Sequence, residues 1–173
     1  MKKIAEAVTL VYSLFERTLS RLQSPLLLAV RLYWGWQFFQ TGWGKLMHLP
    51  KVVGFFTNLG IPFPSLNAYF VSSLEFVGGA LLFVGLGSRV IALPLTIDMV
   101  VAYITADREA LFSIFSDPGK FYGSDPYTFL FASLLILVCG PGNISLDHAI
   151  GYQRKRRVST IPNLRGTSAV TVA

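Results

Sequence analysis

Four stretches of this chain are apolar for longer than a soluble fold usually needs. They are 26–46 (LLLAVRLYWGWQFFQTGWGKL), 68–87 (AYFVSSLEFVGGALLFVGLG), 90–106 (VIALPLTIDMVVAYITA) and 124–140, the last built on PYTFLFASLLILVC. A helix needs about 20 such residues to cross the hydrocarbon of a bilayer. Helices are preferred over strands because each run must satisfy its own backbone hydrogen bonds in lipid. No alternating pattern with an even strand count competes. The expected fold is therefore all-α, a four-helix transmembrane bundle.

Composition supports this by what is missing. Only 14% of the 173 residues are charged, against about a quarter in soluble domains. The single cysteine, Cys139, cannot pair within the chain, which removes a disulfide scaffold. The net charge of +6 gathers at the two ends instead of spreading over a folded face, so a nucleic-acid partner is not expected.

The chain divides into three parts. Residues 1–24 place Ile4, Val8, Val11, Tyr12, Phe15, Leu19 and Leu22 at helical spacing among Lys2, Lys3, Glu6, Glu16, Arg17 and Arg21. That pattern predicts an amphipathic helix lying in the membrane interface; Glu6 interrupts what would be the apolar core of a signal peptide. Residues 25–150 hold the spans. Residues 151–173, with Arg154 to Arg157 (RKRR), are read as a basic, flexible tail.

Between the spans, Val52 to Phe56 predicts a short surface helix, and LGIPFP turns the chain toward the second span. Gly85 to Arg89 is so short a connection that spans two and three form an antiparallel hairpin. Asp117-Pro118-Gly119 is a turn signal in the next loop, whose aromatic residues place it at the membrane surface.

Four spans put both termini on one side. That side collects ten basic residues (Lys2, Lys3, Arg17, Arg21, Arg89, Arg154, Lys155, Arg156, Arg157 and Arg165), and the other has four (Lys45, Lys51, Arg108 and Lys120). The positive-inside rule makes the ten cytoplasmic.

Charges inside the spans are the informative residues, because such groups persist in membranes when they pair or face water. Arg31, Glu75 and Asp98 lie within spans, and Lys45 lies near the outer end of the first. Counted from the nearest span end, Arg31 is about 9 Å deep from the inner side, Asp98 about 13 Å from that side and Glu75 about 12 Å from the outer side. Arg31 and Asp98 are then level enough to pair. Glu75 can meet either Arg31 or Lys45, and Gln37 and Gln40 add amide groups between these levels. Two readings stand. The group is a binding or proton-handling site, with Glu75 and Asp98 as the catalytic candidates and Arg31, Lys45, Gln37 and Gln40 completing the substrate contacts. Alternatively it is an internal ion-pair network that fixes helix order.

Gly35, Gly42, Gly44, Gly78, Gly79 and Gly85 read as close-approach positions between helices. Trp34, Trp36 and Trp43 read as interface and packing aromatics. His48 and His148 fall at opposite ends of the spans, so no bis-histidine haem is expected. Cys139 alone cannot hold an iron–sulfur cluster. No metal ligation and no covalent cofactor are expected; any redox role would borrow a partner's cofactor or act on a quinone.

The order of these residues resembles the DoxX family of small bacterial and archaeal membrane proteins, from about Leu26 to Ile150. The resemblance is carried by RLYWGWQFFQTGWGKL, LGIPFP, LEFVGGALLFVGLGSRVIAL, DPGKF and GPGNISLD. The matching positions are Arg31, Gly42, Lys45, Glu75, Gly78, Gly79, Gly85 and Arg89, and then Gly140, Gly142, Ser145 and Asp147. The resemblance implies a four-helix integral protein of the plasma (inner) membrane. It also implies one of several roles: quinone-coupled oxidation, a membrane redox complex, or maturation of peptides or cofactors. The expected function is a membrane subunit of a redox system that meets quinone or quinol, an oxidoreductase subunit without its own metal. The alternative is a non-catalytic anchor or assembly partner. The expected partners are the bilayer and a protein of a membrane complex, and a homodimer is admitted. A small-solute carrier is disfavoured, since four spans without an inverted repeat leave little room for alternating access.

Overall fold

The computed structural model describes the backbone of residues 2–150 and the side chains of residues 12–16 and 18–150. The basic tail, and the apolar positions Ile4, Val8 and Val11 of the amphipathic stripe, lie outside those described side chains. Every regular element among the described residues is a helix: α1 Lys2–Met47, α2 Leu49–Asn58, α3 Pro64–Val84, α4 Ser88–Thr105, α5 Arg108–Phe112, α6 Pro118–Tyr122 and α7 Asp125–Cys139.

The sequence predicts a boundary at Ser24-Pro25, and the structure has none. α1 runs through Pro25 as one helix of 46 residues, about 69 Å long at 1.5 Å per residue. Proline removes a single backbone donor, leaving the Arg21 carbonyl without its helical partner. The helix is fixed just beyond this point, where Leu27 and Arg31 are both buried. The side chains of Tyr12, Phe15, Leu19 and Leu22, on the amphipathic stripe, are exposed.

Glycine sets how closely α1 and α3 approach. A Cβ on Gly35 would lie 2.7 Å from the backbone nitrogen of Phe83, and one on Gly42 or Gly79 would strike backbone of the facing helix. The adjacent Gly78 faces the other way, where an added Cβ would meet Ile91 and Leu95 of α4 at 3.2 Å. The Gly78-Gly79 pair thus lets α3 sit against α1 on one side and α4 on the other, as small residues do between membrane helices.

The second span is expected to reach Gly87 and instead stops at Val84. Gly85 takes φ +82° and Gly87 φ +60°, a left-handed turn that ends α3 and starts α4. α4 packs chiefly on α7, closing the core around Phe38, Leu82, Ala92, Leu95, Met99 and Ile136. Within the expected surface loop, α5 and α6 are single helical turns. They cover the end of α4 through Tyr103, whose hydroxyl donates to the Phe121 carbonyl at 2.9 Å. The predicted turn at Asp117 caps α6, its carboxylate accepting from the Lys120 amide at 3.3 Å.

α3 and α4 are each long and apolar enough to cross a membrane, and α7 is a shorter apolar helix of 15 residues. Large apolar side chains point outward along them, Val90 at 79% and Val138 at 68% exposure. A water-soluble surface rarely exposes such extended patches; lipid-facing helices do.

Candidate functional site

Lys45, at the end of α1, donates from Nζ to Glu75 Oε1 of α3 at 2.6 Å. Glu75 is 2% exposed. Gly42, one turn earlier on α1, brings the backbones of α1 and α3 together at Glu75 and Phe76. The carboxylate of Asp98 on α4 stands beside that of Glu75, close enough to hydrogen bond when either carries a proton, and within the field of Lys45. Glu75 lies nine residues before Val84 and Asp98 ten after Ser88, so the tight hairpin sets them level. Glu75 Oε2 and Asp98 Oδ2 are buried and accept no hydrogen bond within the protein.

All three side chains line a cavity of about 600 Å³ between α2, α3 and α4. Its walls are mostly apolar: Val52, Phe55 and Phe56 of α2, Val71 of α3, and Met99 and Val101 of α4. Lys51 and Asn67 add polar groups. A few convergent polar groups in an apolar cavity of this size describe a small-molecule site. The surface helix expected at Val52 to Phe56 is a longer element, and forms one wall of this cavity. Lys51 and Asn67 carry no binding signal in the sequence, because Lys51 on α2 and Asn67 at the start of α3 come together at one cavity only when α2 folds back over α3.

The loop closing that wall is strained. Phe63 adopts φ 48° and ψ 57°, just before Pro64 starts α3. This left-handed conformation is unusual for a bulky residue, and a following proline disfavours helical conformations in the residue before it. Asn67 Nδ2 donates to the Pro62 carbonyl at 2.6 Å and braces the turn.

Arg31 does not join the cluster, contrary to the expected pairing with Asp98. Its guanidinium donates from Nη1 to the Pro141 carbonyl at 2.7 Å and from Nη2 to the Ile144 carbonyl at 3.1 Å. A Cβ on Gly85 would lie 2.6 Å from its Cζ. Asp147 lies in the field of Arg31 and accepts from the amides of Gly87 and Ser88 at 2.7 and 2.9 Å. Arg89 Nη2 donates to the Val138 carbonyl at 3.1 Å. The turn after α7 is thereby tied to α1 and to the start of α4, at the opposite end of the bundle from the cavity. The depth count failed because it took Pro25 as the level where the helix enters the membrane. α1 passes through Pro25 without a break, so Pro25 marks no level.

Gln37 and Gln40 also stand apart from the cavity. Gln37 Nε2 donates to the Tyr33 hydroxyl at 3.3 Å, and Gln40 is exposed. Trp36 stacks with Phe39, and Trp43 lies tilted against Phe76, on the outer face of α1 and α3. Lys120 and Glu109, an exposed pair at 2.8 Å, hold α5 and α6 together. Their hydrogen bond and charges lower the Glu109 carboxyl and raise the Lys120 amine from their ordinary values.

The DoxX family model matches residues 26–108. The chain is 32% identical over 138 residues to "Uncharacterized membrane protein Rv3486" of Mycobacterium tuberculosis (strain ATCC 25618 / H37Rv), covering 73% of this chain and 82% of that protein. The chain belongs to the DoxX family. This DoxX protein is also 32% identical over 120 residues to "Putative oxidoreductase CatD" of Bacillus subtilis (strain 168), covering 69% of this chain and 83% of that one. No solved structure matches it. The positions that carry the resemblance serve different parts of the fold, Gly42, Gly78 and Gly79 standing at helix contacts. Lys45 and Glu75 line the cavity, whereas Arg31, Gly85 and Asp147 build the knot at the other end.

Proposed function

We propose that this protein is an integral membrane subunit of a redox system that holds a lipid-soluble quinone or quinol in the cavity between α2, α3 and α4. The observation that carries the reading is the Lys45–Glu75 ion pair beside Asp98 in a mostly apolar cavity of about 600 Å³. Apolar walls suit a ring and its tail, and the ionisable groups suit a head that gains and loses protons with electrons. Lys45 bonds one of two carboxylates that stand side by side, and Lys51 also lines the cavity. That arrangement gives Glu75 and Asp98 a place to hold and pass on a proton. Similarity to a protein named as an oxidoreductase points the same way. The electrons would come from a partner protein in the membrane.

In this reading α3, α4, α7 and the second half of α1 span the plasma membrane. Both termini lie on the cytoplasmic side, on the strength of the ten-to-four distribution of basic residues. Arg31 is then structural, and the polar end of the site consists of Lys45, Glu75 and Asp98.

The test is binding of a quinone analogue to the purified protein in detergent. Saturable binding that is lost in a folded Glu75→Gln variant and kept in a folded Arg31→Lys variant is expected. No saturable binding to the wild type would leave the charges as a scaffold, the anchor or assembly role.

A further inference from the structure

We infer that the free face of α1 is the interface of a parallel, twofold homodimer, in which the helix lies along its own copy. It rests on the second half of α1 spanning the membrane and not on what the cavity holds. Steps of three and four residues keep side chains on one side of a helix. In the first half of α1 they pass through Tyr12, Phe15, Leu19, Leu22 and Leu26, and in the second half through Ala29, Tyr33, Gln37, Gln40 and Gly44. Gln37 is half-buried and all the others are exposed. Gly35 and Gly42, which press on α3, lie on the opposite side of the helix.

Each half of this face is wrong for the medium around it. Gly35 meets Phe83 and Gly42 meets Phe76 across the contact with α3. Gln37 and Gln40 therefore stand level with the apolar run between those two residues, VGGALL. An amide turned to hydrocarbon is costly unless it finds a hydrogen-bond partner, and the bond that Gln37 makes is to Tyr33, one turn back on its own helix. The first half leaves the bundle instead. The turn after α7 reaches α1 as far as Ser24, whose hydroxyl accepts from the Asn143 amide at 3.3 Å. Toward Lys2 the unbroken helix continues for about 33 Å, and its described residues from Leu14 to Gln23 are exposed. The apolar stripe lies here, where polar residues would suit water.

A second copy of α1 suits both halves at once. Across a twofold axis a surface patch meets itself. A glutamine amide both donates and accepts, so Gln37 and Gln40 can each pair with the same residue of the other copy. The apolar stripe, with its three-and-four spacing, closes on itself as a coiled-coil seam. Gly44, with nothing within 4 Å of an added Cβ, lets the two backbones approach, as small residues do between membrane helices. Like charges on such an axis would repel, and no position on the face is charged; Glu16, Arg21, Arg31 and Lys45 all stand off it. Lipid would suit the stripe but not the amides.

The experiment uses the full-length chain in membranes, with Cys139→Ser and one new cysteine at a time. Phe15→Cys, Leu22→Cys and Gln40→Cys lie on the face; Ser20→Cys and Leu32→Cys are exposed positions off it. Mild oxidation with iodine, which enters membranes, is expected to link the first three into dimers and to leave the last two monomeric. Light scattering of the purified wild type in detergent is expected to give the mass of a dimer. Gln37→Leu with Gln40→Leu is expected to weaken that dimer roughly tenfold, the worth of one or two hydrogen bonds between membrane helices. Equal linking on and off the face, linking in one half alone, or a wild type that stays monomeric at every concentration overturns the inference. Labelling of a monomeric Phe15→Cys by a lipid-dissolved reagent would then assign the stripe to the membrane surface. The wild-type mass and the linking pattern decide the matter even if the leucine variant does not fold. Binding of a quinone analogue is a separate measurement, so the cavity stands or falls independently of the dimer.

Discussion

Lys45 and Glu75, thirty positions apart in sequence, meet at 2.6 Å across the α1–α3 interface. The acid is almost wholly buried, and the lysine is about one-third exposed. This asymmetry makes the pair testable. Lys45→Met strands a buried carboxylate and is expected to destabilise the protein by about 3 kcal/mol. Glu75→Gln leaves a partly exposed ammonium and costs less. The double variant recovers most of the Lys45→Met loss, a coupling that a double-mutant cycle of thermal unfolding in detergent measures.

Arg31 belongs to the knot at the far end. Arg31→Lys loses the fork that reaches the Pro141 and Ile144 carbonyls together, since an ammonium cannot reproduce that planar geometry. The expected cost is about 2–3 kcal/mol, with faster proteolysis in the turn after Cys139. Ligand affinity at the cavity stays unchanged under conditions where the variant is folded.

The helix approach gives a contrast among glycines. Gly79→Ala puts a methyl group into the backbone of α1 and is expected to cost at least 1–3 kcal/mol, as overpacking does. Gly44→Ala, with nothing within 4 Å of the new carbon, is neutral or stabilising by up to about 1 kcal/mol through helix propensity. Melting temperatures of the two variants in one detergent decide it.

The α5–α6 contact depends on pH with a defined sign. The Glu109 carboxyl is lowered from 4.5 by Lys120, so its contribution is present above that value and lost as pH falls through the lowered value. The Lys120 amine is raised from 10.5, so its contribution is present below 10.5 and lost as pH rises through the raised value. The pair therefore operates at intermediate pH and is screened by salt, because both groups face water. Glu109→Gln is expected to leave the melting temperature unchanged in high salt, with a small decrease at low salt near neutral pH.

Much of the architecture was determined by the sequence alone. The all-helical character, the apolar runs that became α3, α4 and α7, and the tight turn at Gly85 to Gly87 follow from hydropathy and glycine placement, which are local properties. The short list of buried ions was equally legible, because the cost of a charge in an apolar helix depends on little beyond the helix itself.

Partner choice was not legible. Counting residues gives a height along a helix axis only when the origin is known, and α1 passes through the proline that supplied the origin. Arg31 and Lys45 are fourteen residues apart, about 21 Å along one helix, and in the structure they serve opposite ends of it. Tertiary structure assigned Glu75 to Lys45 and sent Arg31 to the carbonyls of a turn more than a hundred residues away. The cavity, too, was settled only in three dimensions. Its walls come from three helices, and its orphan oxygens exist because the α3–α4 hairpin brings two carboxylates together beside one lysine.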